Sequence, residues 1–207
     1  MKPLTAAILC IFLSGTLLAS DAIPGAPQAA PVAITRATIH TVSGPTIDNG
    51  DLLFDRGRIV ALGESGTVKI PDNAKLVNGK GQHIYPSLFE AYSQLGLVEV
   101  SAVRASRDQS ESGQMNPNVR AHVSVNPDSE LIPVTRANGV LLALTAPSGG
   151  RIAGKAAVIQ LDGWTFEEMA LRSGAAMVVS WPTVPNQLET TDMKKDPVAS
   201  LRDFFDE

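Results

Sequence analysis

Three histidines, His40, His83 and His122, are the only imidazoles this 207-residue chain offers to a metal ion or to proton transfer. No two stand at the i, i+2 or i, i+4 spacing that puts a ligand pair on one strand or helix face. Metal-activated water needs about three protein ligands and an open position, and these residues do not assemble that set. They read as isolated surface or strand histidines. Gly149-Gly150-Arg151-Ile152-Ala153-Gly154-Lys155 fits G-x-x-x-x-G-K, one residue short of a phosphate-binding loop. Ala156 lacks the hydroxyl that would hold magnesium, and Ala157 to Leu161 continue as a strand where a helix N-terminus would be required. The segment therefore reads as a glycine-rich turn after a strand. Ser87, Ser93, Ser148 and Ser180 have no nucleophile elbow around them. Arg104, Arg107, Asp108 and Glu111 form a polar loop cluster. Arg104, Arg107 and Asp108, with Gly149, Gly150 and Lys155, are the candidate ligand-facing positions, although a solvated loop is the plainer account.

The elements that would position these residues fall into four stretches. Residues 1–22 read as an export signal: Lys2, an apolar core from Ala6 to Leu13, and small residues at Ala19, Ser20 and Ala22. The apolar run is shorter than the ~20 residues a membrane span takes, so the membrane would be met only through this signal. A periplasmic or extracellular location follows. Cys10, the single cysteine, lies inside the signal, and the mature chain would have no disulfide. Residues 23–31, rich in Ala, Pro and Gly, form a linker.

Residues 32–84 carry short strands with turn punctuation, including a hairpin closed at Asp55-Arg56-Gly57, and predict a small β-sandwich. Residues 85–207 alternate strand and helix patterns. A helix is expected from Asp128 to the stop at Asn138-Gly139. Buried-type strands are expected at Val140–Thr145, Ala156–Leu161 and Ala175–Trp181. Thr165 and Glu168 form a capping box opening a helix toward Arg172, and Asp196-Pro197 starts a last helix. The fold class expected is α/β with a β-rich N-terminal part. Net charge is -4 and aromatics are 5%, so neither a phosphate-binding surface nor base stacking is supported and nucleic acid is excluded as a partner. Trp164, Trp181 and Phe204-Phe205 read as core or inter-element contacts.

Residues 34–96 carry a resemblance. Asn49-Gly50-Asp51-Leu52-Leu53-Phe54-Asp55-Arg56-Gly57-Arg58-Ile59-Val60-Ala61-Leu62-Gly63, then Ile70-Pro71, Gly79-Lys80-Gly81 and Tyr85-Pro86, resemble the N-terminal region of the amidohydrolase superfamily, in its imidazolonepropionase-like and dihydroorotase-like branch. Gly139 to Gly163 is also similar to later barrel units of that family. The resemblance implies a β-sandwich flanking an incomplete (β/α) TIM-type barrel, since the whole barrel takes ~250 residues and residues 85–207 supply about half of it.

The family's first barrel strand ends in Asp-x-His-x-His, whose histidines bind the metals. The matching place here reads Glu90-Ala91-Tyr92-Ser93-Gln94. A phenol and a neutral amide are poor substitutes for imidazole at a zinc-type centre, and Glu90 alone is one carboxylate. The family would use zinc or another divalent metal; no such cofactor, metal ligand or catalytic residue carries over. The resemblance thus implies ancestry among hydrolases of amide and cyclic-amide C–N bonds, with this chain truncated and inactive. Two alternatives stand beside it: an exported non-catalytic binding module, or a subunit completed by a separate C-terminal barrel half. Leu201 and Phe204-Phe205 on the last helix, with the open edges of a half-barrel, point to self-association or to that second half.

Overall fold

The computed structural model describes residues 24–182 and 198–206. The export-signal expectation for 1–22 and the Asp196-Pro197 helix start lie outside them. The chain divides into two compact units, one of Gly25–Phe89 with Gly139–Leu141, the other of Glu90–Asn138 and the residues from Leu142 onward.

The first unit is one mixed sheet. β1 (Val32–Ile39) lies between β2 (Ile47–Asp55), which runs antiparallel to it, and two short parallel strands, β4 (Lys75–Asn78) and β5 (His83–Ile84). β3 (Arg58–Glu64) extends the sheet beyond β2. The predicted hairpin is present: Asp55 pairs with Arg58, and Arg56 (φ 48°) and Gly57 (φ 71°) make the left-handed two-residue turn that suits twisted strands. The expected sandwich is not. Among the described residues a single sheet stands there, its core Ala37, Ile39 and Leu52 flanked by Ile34, Ile47, Phe54 and Ile84.

β1 is interrupted where Arg36 takes φ 61°, a left-handed conformation costly for a side chain with Cβ. Asp51, 4% exposed, holds it there. Its carboxylate accepts from the Arg36 N–H at 2.9 Å and from the Gly66 N–H at 2.9 Å, tying the β1 bulge to the turn after β3. The break in β1 also separates the register of β4, which pairs from Val32 to Thr35, from that of β5, which pairs at Thr38 and Ile39.

The second sheet has the order β6 (Leu88–Ser93), β7 (Val140–Thr145), β8 (Ile152–Gln160), β9 (Ala170–Val179). Leu88 N donates to Gly139 O and Ala146 N to Ser93 O, both at 2.9 Å, so β6 and β7 run parallel. Their crossover contains 3-10 turns at Arg104–Ser106 and Ala121–Ser124 and helix α1 (Leu131–Ala137). From β7 onward the expected alternation fails. β8 is antiparallel to β7, and β9 to β8. Residues 146–151 connect β7 to β8, too few for the dozen or more that a parallel crossover takes. Among the described residues no closed barrel is present, and the α/β character rests on the β6–α1–β7 unit.

α1 begins at Leu131, not Asp128, which places Pro133 in the first turn, where its missing N–H costs little. It stops as predicted, with Gly139 at φ 86°. Thr165 Oγ1 caps the Glu168 N–H at 3.3 Å, while the Glu168 carboxylate accepts from the Trp164 N–H at 2.8 Å. That helix, α2 (Phe166–Met169), is one turn long and gives way to β9 rather than continuing to Arg172. The central strand β8 is mostly buried. β9 is mostly exposed, contrary to the buried strand expected at 175–181; Trp164 (62%), Trp181 (71%) and Phe205 (68%) are exposed as well. In α3 (Ala199–Asp206) Leu201 is buried.

Candidate functional site

Because β6 and β7 run parallel, their C-terminal ends lie side by side, and the loops that leave them meet at one end of the second sheet. Thr145, fully buried, donates from Oγ1 to Leu95 O at 2.9 Å and fastens the two strand ends. Residues 108–114 then wrap the β7–β8 turn. Ser148 N donates to Gln109 O at 2.7 Å, and the N–H groups of Arg151 and Ile152 both reach Gln114 O, at 2.7 and 2.9 Å. Gly150 is required at this crossing. Its φ is 63°, and a Cβ would meet the carbonyl oxygens of Gly113 and Gln114 at 2.9 Å.

Beside this crossing is a cavity of about 210 Å³ lined by Gly96, Leu97, Glu99, Ala105, Ser106, Asp108, Ser124 and Asn126. Glu99 is held by the Ser129 hydroxyl at 2.7 Å and the Asn126 amide at 3.3 Å. Ser129 is 1% exposed, so its bond to Glu99 is fixed by packing. The cavity presents acceptors, and donor-rich or cationic groups suit it.

Of the predicted loop residues, the structure brings Asp108, Gly149 and Gly150 to neighbouring stretches. Arg104 and Arg107 brace the same loop: Arg104 Nη1 donates to Arg107 O at 3.1 Å, and Arg107 bridges to Val98. Lys155 is not on a loop. It sits within β8, its N–H bonded to Val119 O, and strand rather than helix follows the G-x-x-x-x-G-K segment. Glu99 and Ser129 escaped the sequence reading because they lie far apart in the chain and neither belongs to a recognisable spacing.

Tyr92 and Gln94, which the resemblance set at the metal-ligand places, lie within β6 and just beyond it. Tyr92 is in β6 and 58% exposed, and its N–H donates to Glu90 Oε1 at 3.2 Å. Gln94 lies beyond the strand end, in a turn closed by Leu97 N to Gln94 O at 2.9 Å. Among the described residues no three His, Cys, Asp or Glu side chains cluster as metal ligands.

The histidines are not all isolated. The parallel pairing of β5 with β1 sets His40 Nε2 3.0 Å from His83 Nδ1, with Tyr85 stacked on His40 at 4.2 Å and 1°. Nothing in the local spacing signals this, because it depends on the register of strands more than forty positions apart. His122 stands apart, its ring tilted against Phe166 and its Nδ1 buried without a partner. Burial and the nearby Arg120 charge hold its basicity below the usual histidine range, against a smaller opposing pull from Glu167.

No protein-family model and no curated protein sequence matches this chain. Among solved structures it is similar to an amidohydrolase from Thermotoga maritima MSB8, with TM-score 0.72 and 24% identity over 84% of this chain and 46% of that one. The fold is that of an amidohydrolase's N-terminal portion. A protein from Bifidobacterium longum described as a prolidase overlaps 35% of this chain and 18% of its own, at 28% identity and TM-score 0.31. The chain thus spans about half the length of the amidohydrolase it matches. That likeness agrees with the superfamily to which residues 34–96 pointed, at the level of fold.

Proposed function

We propose that this chain is an amidohydrolase-type scaffold that does not hydrolyse C–N bonds by itself. What supports the reading is the chemistry at the end of β6, where the resemblance sets Tyr92 and Gln94 against two imidazoles. A phenol and an amide bind zinc-type ions poorly. The residues present do not fit the divalent centre of the family. The acceptor-lined cavity around Glu99 and Asp108 supports binding of a small donor-bearing ligand instead.

The test is direct. The purified chain is incubated with zinc, manganese or cobalt, desalted, and assayed for retained metal and for hydrolysis of N-acyl dipeptides and cyclic amides. The expected result is no stoichiometric metal and no turnover. One retained ion per chain with metal-dependent turnover would overturn the proposal.

A second reading, that a separate chain supplies the missing ligands, is favoured by the exposed apolar side chains of β6: Leu88, Phe89 and Tyr92. Turnover that emerges only on adding such a chain would decide for it.

A further inference from the structure

His122 sits in the 3-10 turn Ala121–Ser124, which packs against the central strand β8 and against α2. Ala121 and Val125, which bracket it, are buried, so the turn is seated by its flanks. The His122 ring leans on Phe166, with centroids 6.2 Å apart and planes at 55°. Its Nδ1 is buried and has no hydrogen-bond partner among the described residues. A neutral imidazole meets this site with the lone pair on Nδ1 and the proton on Nε2. Charging the ring puts a proton on both nitrogens, and Nδ1–H becomes a buried donor with nothing to receive it. The surrounding charges do not remedy that. Burial and the Arg120 charge oppose a cation here, and Glu167 on α2 pulls the other way with less effect. Glu168, the other carboxylate of α2, is engaged by the Trp164 N–H at 2.8 Å. Lys155, the one ionisable residue of β8, is bridged to Arg120 and is itself a cation.

The same turn walls the cavity around Glu99. Ser124 and Asn126 line it, Asn126 N donates to Gly96 O at 2.8 Å, and the Asn126 side-chain amide reaches Glu99 at 3.3 Å. We infer that His122 is an acid-sensitive clasp: neutral, it keeps the turn seated on β8 and α2 and the cavity wall closed, and charged, it releases both. The sign follows from linkage. The seated ring binds its proton less tightly than a released one, so its contribution is complete above the ordinary histidine value and is lost as pH falls through the folded one. Regulation of a ligand in the cavity rests on the proposed function. The release itself is measured with no ligand present, so the two fail separately.

The experiment is hydrogen exchange read as protection factors at pH 7.5 and 5.0, a window above ordinary carboxylate titration. The amides of Val123, Val125 and Asn126, bonded to Arg120 O, His122 O and Gly96 O, report the turn and the wall. Their protection is expected to fall about threefold or more at pH 5.0, while the β2–β3 hairpin amides keep theirs. His122→Phe keeps a ring against Phe166 without a nitrogen to charge, and is expected to abolish that fall. His122→Leu is the second variant, in case His122→Phe folds poorly. Glu167→Gln removes the one charge that favours the proton and deepens the fall, whereas Arg120→Gln makes it shallower. A merely structural role for His122 moves with neither. Constant protection in the wild type, an equal fall in wild type and His122 variants, or a fall that ignores both charge changes would overturn the clasp.

Discussion

Asp51 shows how a single buried charge shapes the sheet around it. Burial by itself pushes its carboxyl up, but the N–H groups of Gly66 and Arg36, the Ser65 side chain and the Arg36 charge outweigh that, and the net displacement is below the ordinary aspartate value. A carboxylate whose basicity is lowered on folding stabilises the protein at pH above its unfolded value, and this contribution fades as acid takes pH down through the folded one. Asp51→Ala leaves two N–H groups unpaired and removes the anchor of the left-handed Arg36, an expected loss of about 2 kcal/mol. Urea unfolding at pH 7 measures it. The same titration toward pH 3 should show the wild type converging on the variant, and parallel curves would show that the carboxylate charge is not what stabilises the bulge.

At the scale of elements, the loop crossing beneath the β7–β8 turn is the sharpest constraint. Gly150→Ala adds a Cβ at φ 63° against two carbonyl oxygens, and neither backbone can yield without breaking the Arg151 and Ile152 bonds to Gln114. Destabilisation of about 1–3 kcal/mol is expected, where Gly149→Ala, facing only the Ser110 side chain, costs less. Chemical denaturation of the two variants side by side tests the ranking.

These elements also mark what local sequence can and cannot disclose. The β2–β3 hairpin was legible because Arg56-Gly57 encode their own turn, and the α1 stop was legible because Gly139 takes a conformation that few residues accept. Strand direction after β7 was not, since an apolar run such as Val140–Thr145 looks alike in parallel and antiparallel neighbours. Connection length was the usable signal. The Glu99–Ser129 contact and the His40–His83 pair could not, because each depends on how distant segments register.

At the scale of the whole molecule, exposed apolar surface stands out. β6 and β9 end the second sheet, and both expose large apolar side chains: Leu88, Phe89 and Tyr92 on one, Leu171, Met177 and Val179 on the other. Open edges carrying such residues are templates for pairing with another chain. A second copy of this chain is one cover that such strands accept. Self-pairing predicts that the purified chain alone associates as its concentration rises to about 100 μM. Light scattering on a size-exclusion column measures this. Met177→Lys with Val179→Lys on β9 should restore the monomer without changing the hairpin's exchange protection, because charge on an edge strand blocks pairing while leaving the fold intact. If wild type and variant stay monomeric alike, β9 is not an association edge. If the variant still associates, pairing runs through β6, and Phe89→Lys separates the two edges.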